Sequence, residues 1–171
     1  MKRVLIIGSG GAGKSTLARR LGEATGIEVV HLDVLHWRPN WTESPKDEFR
    51  KLLEDVLKKE SWIMDGNFGG TMEMRLKACD TVIFLDFPRT VCLYRIIKRR
   101  LTYHGTNRPD MAEGCQEKID FEFLHWVWTY AARAKPEVEE RLKRFGKDKT
   151  VIRLRSKKQV EDFLRSFEKI G

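Results

Sequence analysis

Residues 8–15 read Gly-Ser-Gly-Gly-Ala-Gly-Lys-Ser, with the apolar run Val4, Leu5, Ile6, Ile7 before them and a helix-forming stretch from Lys14 after them. Four glycines in six positions suit neither a strand nor a helix interior, because glycine gives up more backbone freedom on ordering than any other residue. They suit a tight turn that carries a buried strand into a helix. Such a turn leaves the first N–H groups of the helix pointing at one place, where the helix dipole favours negative charge. The segment therefore reads as an anion-binding loop.

Two patterns share this loop. Gly8, Gly10 and Gly13 satisfy GxGxxG, the dinucleotide fingerprint, for which Asp33 at the end of a second strand would be the acidic partner. Gly8 through Ser15 also satisfy GxxxxGK[ST], the P-loop. Lys14 and Ser15 decide between them. A dinucleotide turn has no role for a Lys-Ser pair, whereas a P-loop needs the ammonium on the β and γ oxygens and the hydroxyl on Mg²⁺. This reading assigns Gly8, Ser9, Gly10, Gly11, Ala12, Gly13, Lys14, Ser15 and Thr16 to the nucleotide, with ATP and Mg²⁺ as cofactors. An NAD(P)-binding protein is the remote alternative.

Strand and helix signals then alternate, which favours a parallel sheet covered by helices. The patterns predict strands over 4–7, 28–33, 62–65, 81–86 and 150–154, and a first helix over 14–25. Ser44 and Pro45 open the next helix as cap and first residue, and Phe49, Leu52, Leu53, Val56 and Leu57 form its buried stripe. Thr90 caps a helix through 101. Residues 102–115 read as a loop or lid, and 120–134 as an aromatic helix. Pro136 starts or kinks a further helix, and Ser156 with Gln159 forms a capping box for the last one.

Four segments, GSGGAGKSTLARRLG at 8–22, HLDVLHWRPNW at 31–41, WIMDGN at 62–67 and VIFLDFPR at 82–89, resemble the small P-loop kinases of the nucleoside-monophosphate kinase group. More closely, the chain resembles the bacterial DNA topology modulation proteins, an adenylate-kinase-like family. The resemblance implies an α/β P-loop NTPase sandwich whose five parallel strands run in the order 2-3-1-4-5. It also implies transfer of the γ-phosphoryl of ATP to a small-molecule acceptor under a closing lid. The expected organisation is one domain over 1–171, with an acceptor-binding segment at about 34–60 and a lid at about 100–125.

Ligands in an open α/β sheet sit beyond the carboxyl ends of the strands, where Asp33, Asp65 and Asp86 fall. Asp65-Gly66 resembles the Asp-Gly that holds water around Mg²⁺ in adenylate kinases, and Asp86 ends a strand in the Walker B manner. Both neighbour the loop strand in the inferred order, and Asp65 is preferred for the metal together with Ser15. Asp33 is placed to orient or deprotonate an acceptor hydroxyl. His36, Trp37, Arg38 and Trp41 either stack and hold the acceptor or pack against the helix that follows. Asn67 and Arg75 belong to the opposite wall. The phosphate-gripping Arg of the adenylate kinase motif is absent, since Asp65-Gly66-Asn67-Phe68-Gly69 stands in its place. Arg95 and Arg99 lie four apart on one helix face before the lid, with Arg100 beside them, Arg108 in the lid and Arg133 after it. In related kinases an Arg at this junction neutralises the transferring phosphoryl.

The net charge is +8, and it is uneven: residues 86–171 carry 20 basic and 13 acidic side chains, residues 1–85 carry 13 and 12. A basic half suits a polyanion, so a nucleotide-dependent DNA-binding or regulatory ATPase is the second reading, although no nucleic-acid recognition motif is present. No apolar run reaches the roughly 18 residues of a membrane span. Cys79, Cys92 and Cys115 are odd in number without CxxC spacing, which argues against disulfides and zinc and makes a reducing cytoplasm the default. Oligomeric state has no signature in the chain.

Overall fold

A computed structural model of the protein describes residues 1–102, 111–115 and 121–168. In chain order its elements are β1 (Arg3–Gly8), α1 (Lys14–Thr25), β2 (Val29–His31), α2 (Leu32–His36), β3 (Trp37–Arg38), β4 (Thr42–Glu43), α3 (Lys46–Leu57), β5 (Trp62–Asp65), α4 (Gly69–Ala78), β6 (Thr81–Leu85), α5 (Arg89–Thr102), α6 (Phe121–Phe145), β7 (Thr150–Leu154) and α7 (Lys157–Glu168). A 3₁₀ turn, Pro39–Trp41, joins β3 to β4.

The large sheet runs β2-β5-β1-β6-β7, all parallel. Counted among its own five strands this is the expected 2-3-1-4-5 order. The labels differ because β3 and β4 form a separate antiparallel hairpin within the segment expected to meet the acceptor. Val4 to Ile7 have no solvent exposure, as a central strand covered on both faces requires. The pleat sorts their side chains. Val4 and Ile6, with Ile63, Ile83 and Leu85, pack under α1, α5 and α7, while Leu5 and Ile7, with Met64 and Phe84, pack under α3, α4 and the second half of α6. Asp65 follows Ile63 by two residues and so faces α1.

Several boundaries differ from those the sequence suggests, each for a local reason. The second strand stops at His31, and Leu32 and Asp33 already belong to α2, so Asp33 lies in a helical first turn rather than at a strand end. Ser44 does not cap α3: its hydroxyl donates to Leu35 O at 3.2 Å and its N–H to His36 O at 2.7 Å, so Pro45 takes the cap position. Phe49 and Leu53 are buried as the stripe predicts, but Leu52 is 41% exposed. α5 begins at Arg89, which places Thr90 inside its first turn.

Pro136 neither ends nor starts a helix but sits within α6. Val127 and Tyr130 before it and Val138 and Leu142 after it are buried at helical spacing. Burial on both sides holds the helix together across the missing N–H. The Ser156 hydroxyl accepts from the Gln159 N–H at 3.2 Å, and Gln159 Oε1 accepts from the Arg155 N–H at 2.6 Å, one residue before the partner a capping box would use. All three cysteines are buried free thiols. Among the described residues no helix is long and apolar enough to cross a membrane.

Candidate active site

The glycine loop closes into α1 through Gly13, whose φ of 95° lies in the left-handed region that glycine adopts without strain. Lys14 then folds back across the loop, its Nζ donating to Gly8 O at 3.1 Å and Ser9 O at 3.0 Å. Burial pushes the ammonium below the ordinary lysine value, the carboxylates of Asp65 and Asp33 pull it upward, and the charge of Arg99 lowers it. Lys14, Asp33, Asp65 and Arg99 therefore share one electrostatic neighbourhood.

Two helices press on the loop. A Cβ at Gly10 would lie 2.8 Å from Phe123 Cζ and 3.0 Å from Val127 Cγ2, so this glycine is needed for the close approach of α6. Arg95 of α5 reaches the other side, where its Nη1 donates to Ala12 O at 3.0 Å and its guanidinium lies 4.4 Å over the Phe87 ring. Beside it opens a pocket of about 220 Å³ between Gly13, Thr16, Phe87, Arg95, Val160 and Leu164. A bidentate Arg20–Glu161 pair, at 2.7 and 2.9 Å, closes its outer wall.

Asp65 and Asp86 face opposite ways and meet different partners. Asp65, 3% exposed, accepts from the Ser15 hydroxyl at 2.7 Å through Oδ2. Its other oxygen, Oδ1, meets His31 Nδ1 at 2.5 Å, and His31 stands opposite Asp65 in the β2–β5 register. Asp86 instead gathers Lys135 at 2.8 Å, Arg153 at 3.5 Å and Arg155 at 3.6 Å. It is the hub of an ion-pair cluster beneath α6. Part of the basic surplus of the second half is thus engaged within the fold, as is Arg144, whose guanidinium lies over Phe145.

Ser15 Oγ and Asp65 Oδ2 are hard oxygen donors, the kind Mg²⁺ takes. That composition fits Mg²⁺, which keeps several waters and relies on one or two protein oxygens plus substrate phosphates.

Two residues expected on the acceptor wall do other work. Arg75 has no solvent exposure, and its guanidinium donates to the carbonyls of Gly66 at 2.9 Å, Phe68 at 2.9 Å and Asn67, with Nε 3.4 Å from Thr71 O. It is a buried brace for the turn after β5. Burial pushes it down to about 9, which leaves it charged at neutral pH, and the carbonyls supply the partners that charge requires. Asn67 clips the loop strand from both sides, accepting from the Gly8 N–H at 3.2 Å and donating to Gly8 O at 2.7 Å.

The hairpin tryptophans pack on a neighbouring loop segment rather than mainly on α3. Trp37 and Trp41, 5.5 Å apart, pack against Met111, Ala112 and the buried Cys115, whose thiol donates to Arg38 O at 3.1 Å. The Arg38 side chain pairs with Glu48. His36 also meets α3, its ring 5.1 Å from Phe49, and lies 4.7 Å from the Phe68 ring before α4. Arg133 is exposed on α6, two residues before Lys135. Arg108 and much of the expected lid lie outside the described residues.

His31, Phe87 and Phe123 border the site although none is among the candidate site residues of the sequence, His31 and Phe87 lying within the quoted segments 31–41 and 82–89. Only the register of β2 against β5 gives His31 away, and for Phe123 the signal is the glycine at position 10.

Residues 4–86 match the ATPase family associated with various cellular activities (AAA). The uncharacterized protein YqaC of Bacillus subtilis (strain 168) is 30% identical over 131 residues, 75% of this chain and 72% of that protein. An adenylate kinase of Thermotoga neapolitana is 31% identical over 94 residues, so that 53% of this chain spans 42% of that enzyme. Among solved structures, shikimate kinase from Acinetobacter baumannii in complex with shikimate aligns with a TM-score of 0.59 at 15% identity, over 99% of this chain and 92% of that one. Deoxyadenosine kinase from M. mycoides with bound dATP aligns with a TM-score of 0.56 at 17% identity, over 98% and 100%. At such identities the likeness to these two structures is one of fold.

Proposed function

The chain belongs to the family of the Bacillus subtilis protein YqaC, and on that premise we propose that it is a phosphotransferase that moves the γ-phosphoryl group of ATP to a small-molecule acceptor. The observation that carries this reading is the joint placement of Lys14 over the loop carbonyls and of Ser15 against Asp65. Together they put a cation and two metal-seeking oxygens at the mouth of an anion-binding helix N-terminus.

In this reading the 8–16 backbone cradles the phosphates, and the pocket between Phe87, Arg95 and Leu164 takes the base. Ser15 and Asp65 would hold Mg²⁺, whose chemistry is to offset charge on the β and γ oxygens. Lys14 and Arg99 bear on the same charge. Asp33 orients the acceptor hydroxyl or takes its proton as that oxygen bonds to the γ phosphorus, while the bond to the β–γ bridging oxygen breaks and ADP leaves. The rate comes from alignment and charge neutralisation rather than a covalent enzyme intermediate. The single domain, with its acceptor segment at about 34–60 and a lid at about 100–125, belongs to this reading. The four segments that resemble the DNA topology modulation proteins all border this nucleotide site, which supports nucleotide chemistry as the property held in common.

The test is a coupled assay of ATP consumption across nucleosides, nucleotides, sugars and shikimate-like alcohols, run on the wild type and on Lys14→Ala. Acceptor-dependent turnover that Lys14→Ala abolishes without unfolding the protein is the expected result. A wild type that binds no Mg·ATP, or a variant with undiminished turnover, overturns the assignment.

A further inference from the structure

Ser15, Asp65 and His31 come from α1, β5 and β2, and they form one hydrogen-bonded chain: Ser15 Oγ to Asp65 Oδ2 at 2.7 Å, and Asp65 Oδ1 to His31 Nδ1 at 2.5 Å. A carboxylate only accepts, so in this chain both the serine hydroxyl and the histidine Nδ1–H donate. Asp65 is 3% exposed, so its oxygens meet protein groups rather than solvent. A buried carboxylate on a single Cβ can rotate about its last torsion, and that torsion is broad rather than sharply staggered. Something must choose the angle at which Oδ2 faces Ser15.

We infer that His31 is the positioning residue of the metal side of the site: by occupying Asp65 Oδ1 it fixes the carboxylate plane and keeps Oδ2 aimed at Ser15. The strand pairing makes this geometry rigid. His31 and Asp65 are register partners at the carboxyl ends of adjacent parallel strands, and Asp65 is also the register partner of Ile6 in the central strand. Both side chains therefore project from the same face of the sheet, toward α1. β2 ends at His31 itself, since Leu32 opens α2, so the ring stands at the last point where the sheet fixes its direction. Partners behind a metal-facing group are commonly worth 10–100-fold in metal affinity or activity.

The inference rests on the site's reading as a Mg·ATP site, and its test separates the two. ATP binding is measured by calorimetry in Mg²⁺ and in EDTA for the wild type, His31→Asn and His31→Gln. The Asn amide nitrogen sits where Nδ1 does, three bonds from Cα, and can keep the bond to Oδ1. The Gln amide sits farther out and cannot replace it in the same place. His31→Asn should keep the wild-type gain in affinity on adding Mg²⁺, and His31→Gln should lose about 10–100-fold of it, with binding in EDTA equal in all three. A full Mg²⁺ gain in His31→Gln, or a loss equal in Mg²⁺ and EDTA, overturns the positioning role. A wild type with no ATP affinity in either buffer instead overturns the reading of the site.

Discussion

Ser15 and Asp65, separated by 50 residues in the chain, are joined by a 2.7 Å hydrogen bond between the first turn of α1 and the end of β5. Asp86, the less favoured candidate in the sequence, points to the other side of the sheet and into a cluster of three cations. Asp65→Asn should lower ATP turnover at limiting Mg²⁺ by about 10–100-fold while the protein stays folded. Asp86→Asn should leave the Mg²⁺ dependence unchanged and lower the thermal midpoint, because Lys135, Arg153 and Arg155 lose their common partner. Mg²⁺ titrations of turnover, with melting curves of both variants, check this pair of outcomes.

Arg75 braces backbone rather than substrate. Arg75→Lys retains a charge but presents donors from one point, so it cannot span the carbonyls of Gly66, Asn67 and Phe68. Urea unfolding should register a loss of about 3 kcal/mol, since buried carbonyls are left unpaired around a poorly matched cation. The KM for the acceptor should be unchanged in the folded fraction. An acceptor-specific KM rise at wild-type stability would contradict the bracing role.

Gly10 and Phe123 are in steric register. Gly10→Ala drives a methyl to 2.8 Å from the Phe123 ring, which should displace α6 from the loop and destabilise the protein by about 1–3 kcal/mol. Adding Phe123→Ala removes the nearer obstacle while Val127 remains. The double variant should therefore recover part, not all, of the lost stability and ATP affinity, which a double-mutant cycle reads directly. Strict additivity of the two changes would show that the helix does not bear on the loop.

Stability should fall on the alkaline side in a way that Cys79 helps to set. Burial pushes its thiol up to about 11 from the usual 9.0. Below 9 the folded and unfolded forms both hold the proton, and the contribution is fully present. Between 9 and 11 only the unfolded form releases it, so folding loses about 2–3 kcal/mol across that window. Chemical denaturation from pH 8 to 11 should show the gap between wild type and Cys79→Ala narrowing as pH rises. A pH-independent gap would mean the thiol titrates normally in the fold.

The central strand and the loop were legible because their signals are local. A run of four apolar residues can be buried only if the sheet covers it on both faces, and a GxxxxGK[ST] turn needs nothing beyond its own eight residues to present its N–H groups. The ends of elements were less legible. Ser44 carries the right chemistry for a cap, yet its hydroxyl finds Leu35 O first, and Pro136 carries a break signal that burial of Val127, Tyr130, Val138 and Leu142 overrides. Trp37 and Trp41 looked like an acceptor wall or an α3 contact, and they pack on Met111, Ala112 and Cys115, some seventy residues away in the chain.

By itself, then, the sequence determined the phosphate loop, the alternation that builds a parallel sheet, and a short set of carboxylates and arginines from which a phosphoryl-transfer site could be drawn. Only the tertiary structure decided among them. It turned Asp65 toward Ser15 and Asp86 away, set His31 behind Asp65, and buried Arg75 beneath a turn. The reason is that strand parity and register assign each side chain a face and a neighbour, and both depend on pairings between segments that lie far apart in the chain.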